Sequence, residues 1–110
     1  LKPGVAFHRD NWGLAASDEL NLHPARGLPA PDLPTSPERL WLRVEHQVLM
    51  ALPESGGVVF GLRIASRRLD TMVADGAAAA GLRRALTSMS PEMVAYKRLD
   101  RVRQVVISWR

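Results

Sequence analysis

His46 is the residue whose type and position are hardest to explain by packing alone. It stands in the run Leu40 to Pro53 (LWLRVEHQVLMALP), where the even positions Leu42, Val44, Val48, Met50 and Leu52 are apolar. The odd positions Arg43, Glu45 and Gln47 are polar, and a period of two marks a half-buried strand. His46 interrupts the apolar row. A titratable ring there is either a hydrogen-bonded packing residue or a ligand to a metal or cofactor, and in either role burial favours the neutral ring. Arg9, Asn11 and Trp12 form a second group on a strand-length segment. Asn is disfavoured in strands, so Asn11 implies a specific hydrogen-bond partner, while Trp12 reads as core before cofactor wall. Arg43 and Glu45 lie on the face opposite His46, where cross-strand pairing is the ordinary role. Tyr96-Lys97 falls at a helix end, and a cation near that negative pole reads as capping.

No nucleotide-binding glycine loop, GxSxG or HExxH motif accompanies these residues. His8, His23 and His46 have no carboxylate at a recognised metal spacing, so a zinc site built from them is not expected. The 110 residues contain no Cys, which excludes disulfides, thiolate ligands and Cys-bound iron–sulfur centres within this chain. A length of 110 residues allows one domain, and 46% hydrophobic with 24% charged residues is ordinary for a globular one. No apolar run approaches the ~20 residues of a membrane span, no basic-then-apolar leader opens the sequence, and a cytoplasmic location is the expectation. Residues 1–55 carry 5 Lys/Arg and 7 Asp/Glu, and residues 56–110 carry 10 and 4. A basic second half suits phosphate, haem propionates or an acidic partner, or is a solvated helix face. The aromatic platforms of a nucleic-acid binder are missing, so nucleic acid is not an expected partner.

The elements that must position these side chains follow from patterning. Val5 to Leu14 reads as a strand. Residues 21–37 hold five of the eight prolines and form an extended loop. Residues 40–52 and 57–66 make a hairpin, the second strand carrying Val58, Phe60, Leu62 and Ile64 on one face. Asp75 caps a helix over Gly76 to Met89, Ser90 caps Pro91 to Tyr96, and Leu99 to Arg110 closes the chain with Leu99, Val102, Val106 and Trp109 on one stripe. The expected class is α+β, an antiparallel sheet with C-terminal helices. Three strands leave two open edges, and the first residue is Leu rather than Met. The expectation is therefore a sheet completed by an upstream half or another subunit.

Several segments together resemble the haem-dependent oxidative N-demethylases. Leu1-Lys2-Pro3-Gly4 followed by Arg9-Asp10-Asn11-Trp12 is similar to that family's L-x-P-G and R-x-N-W. Leu42 to Pro53 resembles its L-R-x-E-R-Q-T-L-x-x-L-P, Ser55 to Phe60 its S-G-A-x-x-F, Met93 to Lys97 its Y-K-G element, and Val105 to Trp109 its final apolar helix. The resemblance implies a PAS-like fold whose apolar sheet face lines haem b. It also implies oxidative removal of a methyl group from a small secondary amine such as dimethylamine, through a carbinolamine that collapses to formaldehyde. Electrons would come from NADPH through flavin and iron–sulfur carriers on partner domains or subunits, an electron-transfer reductase. Without Cys the haem takes no thiolate here, so His or another non-sulfur group must serve, the candidates being His46 and the His of the family's upstream I-H-x-P-V-P segment. Arg9, Asn11, Trp12, Arg43, Glu45, His46 and Gln47 are the candidate cofactor-binding residues. The chain departs from the family pattern at His46 (Arg in the pattern), Val48 (Thr) and Arg98 (Gly), and lacks its upstream I-H-x-P-V-P segment. The alternative expectation is a non-catalytic PAS-like module that binds a ligand or partner without haem.

Overall fold

A computed structural model describes residues 4–109, so Leu1, Lys2 and Pro3 of the opening motif lie outside the described residues, as does Arg110. Three long strands form an antiparallel meander, β1 (Ala6–Ala15), β2 (Trp41–Ala51) and β3 (Val58–Arg68), with β2 in the centre. Four short helices follow: α1 (Leu69–Val73), α2 (Gly76–Ser88), α3 (Pro91–Tyr96) and α4 (Arg103–Ser108). This is the α+β class expected from the patterning. The Pro-rich stretch carries two single 3-10 turns, Pro24–Arg26 and Pro37–Arg39, and no strand.

Local chemistry explains the helix starts. The Asp75 carboxylate accepts from the Ala78 N–H and the Ser90 hydroxyl from the Met93 N–H, each satisfying a donor the helix leaves free. Arg103 donates from Nε to the Leu86 carbonyl (2.7 Å) and from a terminal nitrogen to Thr87 (3.0 Å), placing a cation on the last carbonyls of α2. Arg83 donates to the Trp109 carbonyl. Part of the basic second half thus serves backbone termini.

The core lies at one end of the sheet. Leu14 from β1, Leu40 before β2, Leu69 and Met72 from α1, Leu86, Val94, Leu99, Val102 and Val106 form one buried cluster. Leu99, Val102 and Val106 carry the predicted stripe, but the helix is confined to Arg103–Ser108 because Leu99 to Val102 turns sharply after α3. The helix α1 is absent from the patterning. Its five residues are held by packing, since Leu69 N–H donates to the Leu40 carbonyl and both side chains are buried.

Register decides what each face of the sheet presents. The six-residue connection 52–57 closes with the Leu52 N–H on the Gly57 carbonyl and a positive φ at Gly56, and sets Ala51 opposite Val58. Odd positions of β2 therefore pair with even positions of β3: Glu45 with Ile64, Gln47 with Leu62, Leu49 with Phe60. Paired residues share a face, so the apolar row of β3 lies with the polar row of β2. The two apolar rows point to opposite sides of the sheet.

Candidate functional site

On β1, Arg9 pairs with Gln47 and Asn11 with Glu45, while Asp10 pairs with His46 and Trp12 with Val44. The first two pairs share the face that carries Arg43. There Arg9 Nε donates to Gln47 Oε1 (2.6 Å), Gln47 Nε2 to Glu45 Oε1 (3.3 Å), and Arg43 Nε lies 3.5 Å from Glu45 Oε2. Gln47, 8% exposed, is the buried polar residue among those described, and its amide satisfies both neighbours. Arg43 also donates to the Glu19 carbonyl, which fixes the start of the Pro-rich loop against the sheet.

His46 and Trp12 lie on the other face. The Nδ1 of His46 is 2.9 Å from Asp10 Oδ1, and the side chains stay 40% and 73% exposed. His46 is therefore a half-exposed residue with a carboxylate partner, not a core histidine. Trp12 packs against the hydrophobic cluster.

Two cavities meet at the outer edge of β1. One is an open cleft of about 750 Å³ whose polar wall is Arg9, Asn11, Glu45, Gln47 and Lys97. Its other wall comes from α2 and α3, chiefly Met89, Met93 and Tyr96. The second, about 310 Å³, is apolar: Leu42 and Val44 of β2 face Met72, Ala78, Gly81 and Leu82. Small residues Ala78, Gly81 and Ala85 recur at helical spacing on α2, leaving the gap against the sheet. Asp10, Asn11, Trp12 and Ala85 line both cavities, so the two are one amphipathic recess divided by Trp12.

Of the residues singled out in the sequence, Arg9, Asn11, Trp12, Glu45 and Gln47 come together in this recess. Arg43 stands behind it through Glu45. His46 lines neither cavity and touches the shared rim through Asp10.

Lys97 is the site residue that sequence reasoning missed, having been read as a cap. Its backbone does end α3, with N–H groups of Lys97, Arg98 and Leu99 on the carbonyls of Met93, Ala95 and Val94. The bonds from Leu99 to Val94 and from Arg98 to Ala95 make a Schellman motif, with Arg98 in the left-handed conformation (φ 57°). The motif turns the Lys97 side chain back to β1. Its ammonium donates to Asn11 Oδ1 (2.9 Å) and to the Trp12 carbonyl, and lies 5.2 Å from the centre of a Trp12 ring, within cation–π range. Loss of water pushes the Lys97 pKa below its ordinary value, partly opposed by the negative charge of Glu45. The available signal was Asn11, which demanded a partner.

Among the described residues no group of three or more His, Asp or Glu side chains is placed to hold a metal ion. No helix among them is long and apolar enough to cross a membrane.

The family model described as haem-dependent oxidative N-demethylase, alpha subunit-like, matches residues 1–107. The chain belongs to that family. Three of the segments that resemble N-demethylase motifs converge on the recess: R-x-N-W through Arg9, Asn11 and Trp12, the central strand through Glu45 and Gln47, and the Y-K-G element through Tyr96 and Lys97. Arg98 holds the left-handed position at which the N-demethylase pattern has Gly, the residue that adopts it without cost.

Proposed function

We propose that this chain is the haem-holding part of an oxidative N-demethylase acting on a small secondary amine, with haem b against a PAS-like sheet. The observation that carries the reading is the amphipathic recess at β1, where an apolar slot and a cationic cleft share Trp12. Haem has the same division, a flat apolar macrocycle with acidic side chains at one edge. Trp12, Leu42 and Val44 would lie against its ring, with Asn11, Glu45 and Gln47 at the polar end.

His46, which shares the sheet face of Leu42 and Val44 and stands beside the slot without lining it, is the proposed nitrogen donor to iron. A ligating imidazole usually gives its other N–H to a carboxylate or carbonyl, and Asp10 stands at Nδ1 of His46. With the proton held there, Nε2 keeps its lone pair. Arg43 and Gln47 hold Glu45 in place. When bound, haem supplies the dioxygen-dependent oxidation of a methyl C–H bond, and loss of formaldehyde leaves the shorter amine. The two electrons come from outside this Cys-free chain, from NADPH through a flavin and iron–sulfur reductase. The description "alpha subunit-like" supports an assembly in which another subunit or chain segment completes the sheet, and a cytoplasmic setting suits its reduced carriers.

The test is formaldehyde release. Haem-loaded protein given dimethylamine, dioxygen, NADPH, ferredoxin and ferredoxin reductase is expected to form formaldehyde and methylamine in equal amounts. Haem binding without formaldehyde from dimethylamine or other methylated amines would leave a non-catalytic module.

A further inference from the structure

Arg9 and Lys97 enter the polar cleft from different elements, β1 and the end of α3, and both arrive with charge uncommitted. Arg9 engages Nε with Gln47, and its two terminal nitrogens have no partner among the described residues. Lys97 gives two N–H groups to Asn11 and Trp12, which leaves the third. Neither cation has a carboxylate within ion-pair distance among the described residues.

The acids of the same wall are occupied. Glu45 faces Arg43 and Gln47, and Asp10 faces His46. With Glu45 countered by Arg43, Arg9 and Lys97 outweigh the single remaining carboxylate of Asp10, and the cleft has a net attraction for an anion. Its opposite wall offers Met89, Met93 and Tyr96, which suit an apolar body and not a hydrated ion such as phosphate. Arg43, the cation of this face most visible in the sequence, is held by Glu45 and the Glu19 carbonyl and does not line the cleft.

We propose that Arg9 and Lys97 form a carboxylate cradle, binding the acidic edge of a flat apolar ligand whose body passes Met93 and Tyr96 and lies against Trp12 in the recess. The carboxylate can belong to a haem propionate, in which case the cradle orients the macrocycle in the recess and rests on the reading above, or to a free aromatic acid. Each cation adds a charge-assisted hydrogen bond in a partly desolvated wall, worth about tenfold in affinity.

The experiment titrates the full chain with haemin and with haemin dimethyl ester, following the Soret absorbance. Haemin should bind at least about tenfold tighter than the ester. Arg9→Met and Lys97→Met should each weaken haemin about tenfold and leave the ester unchanged, while Lys97→Arg should keep haemin binding. Because Lys97 also ties α3 to β1, Arg9→Met decides the matter if Lys97→Met lowers the melting temperature. Equal binding of haemin and ester, or equal weakening of both by Arg9→Met, would overturn the proposal. If neither porphyrin binds, the haem reading fails by itself, and 2-naphthoate titrated against Trp fluorescence tests the cradle. Naphthoate binding abolished by Arg9→Met would uphold the cradle for a free acid, and no binding would overturn it.

Discussion

Asp10 and His46 face each other across β1 and β2, carboxylate to Nδ1 at 2.9 Å, on the side of the sheet away from Gln47. In the proposed haem site this carboxylate would fix the ring and strengthen Nε2 as a donor. Asp10→Asn is expected to cost about tenfold in haemin affinity and to raise the iron reduction potential, because a less basic imidazole stabilises the ferric state less. Spectroelectrochemistry of the haem-loaded variant checks this. An unchanged potential would show that Asp10 does not act through the iron donor.

Arg98 occupies a left-handed backbone position at the end of α3, which costs an L-residue with a Cβ about 1 kcal/mol or more. Arg98→Gly removes that strain and is expected to stabilise the fold by about 1 kcal/mol after the entropy lost by Gly. Urea denaturation should show a higher midpoint with an unchanged slope. Arg98→Val should lower it.

Lys97 should titrate below the ordinary lysine value of 10.5, since burial opposes its charge. The folded pKa lies under the unfolded value of 10.5, so the folded chain sheds this proton first. The contribution of Lys97 to stability is therefore least below its folded pKa and increases as pH rises through it toward the unfolded one. Reductive ¹³C-methylation followed by NMR titration measures the Lys97 midpoint. Glu45→Gln should lower the Lys97 midpoint further, because it removes the charge that opposes the shift.

Gln47 links Arg9 to Glu45 from a buried position. Gln47→Leu keeps the volume and removes both bonds. Arg9 and Glu45 recover water in the open cleft, so a loss of about 1 kcal/mol is expected in urea denaturation. A loss near zero would mean that the amide is not connecting the two charges.

Much of this fold was legible because its signals are local. The period of two marked β2 and β3, and Asp75 and Ser90 announced their helices by capping chemistry. The pairing of odd positions of β2 with even ones of β3 was not legible, since it depends on the six-residue connection 52–57 rather than on either strand. Five of the seven candidate residues converge because their alternation on β1 and β2 places Arg9, Asn11, Glu45 and Gln47 on one face and Trp12 at the edge. His46 separates from them by the same parity. Lys97 escaped because its ammonium meets Asn11 across 86 residues, a contact created by the Schellman turn and by no pattern within α3. The short α1 escaped for a similar reason, as burial of Leu69 and Met72 stabilises it.

The most direct measurement of the central claim is haem content. The full chain, expressed with added 5-aminolevulinate and purified, should carry one haem b by pyridine haemochrome assay. It should show a Soret band that shifts or is lost in His46→Ala. Colourless, iron-free protein that also fails to take up added haemin would contradict it.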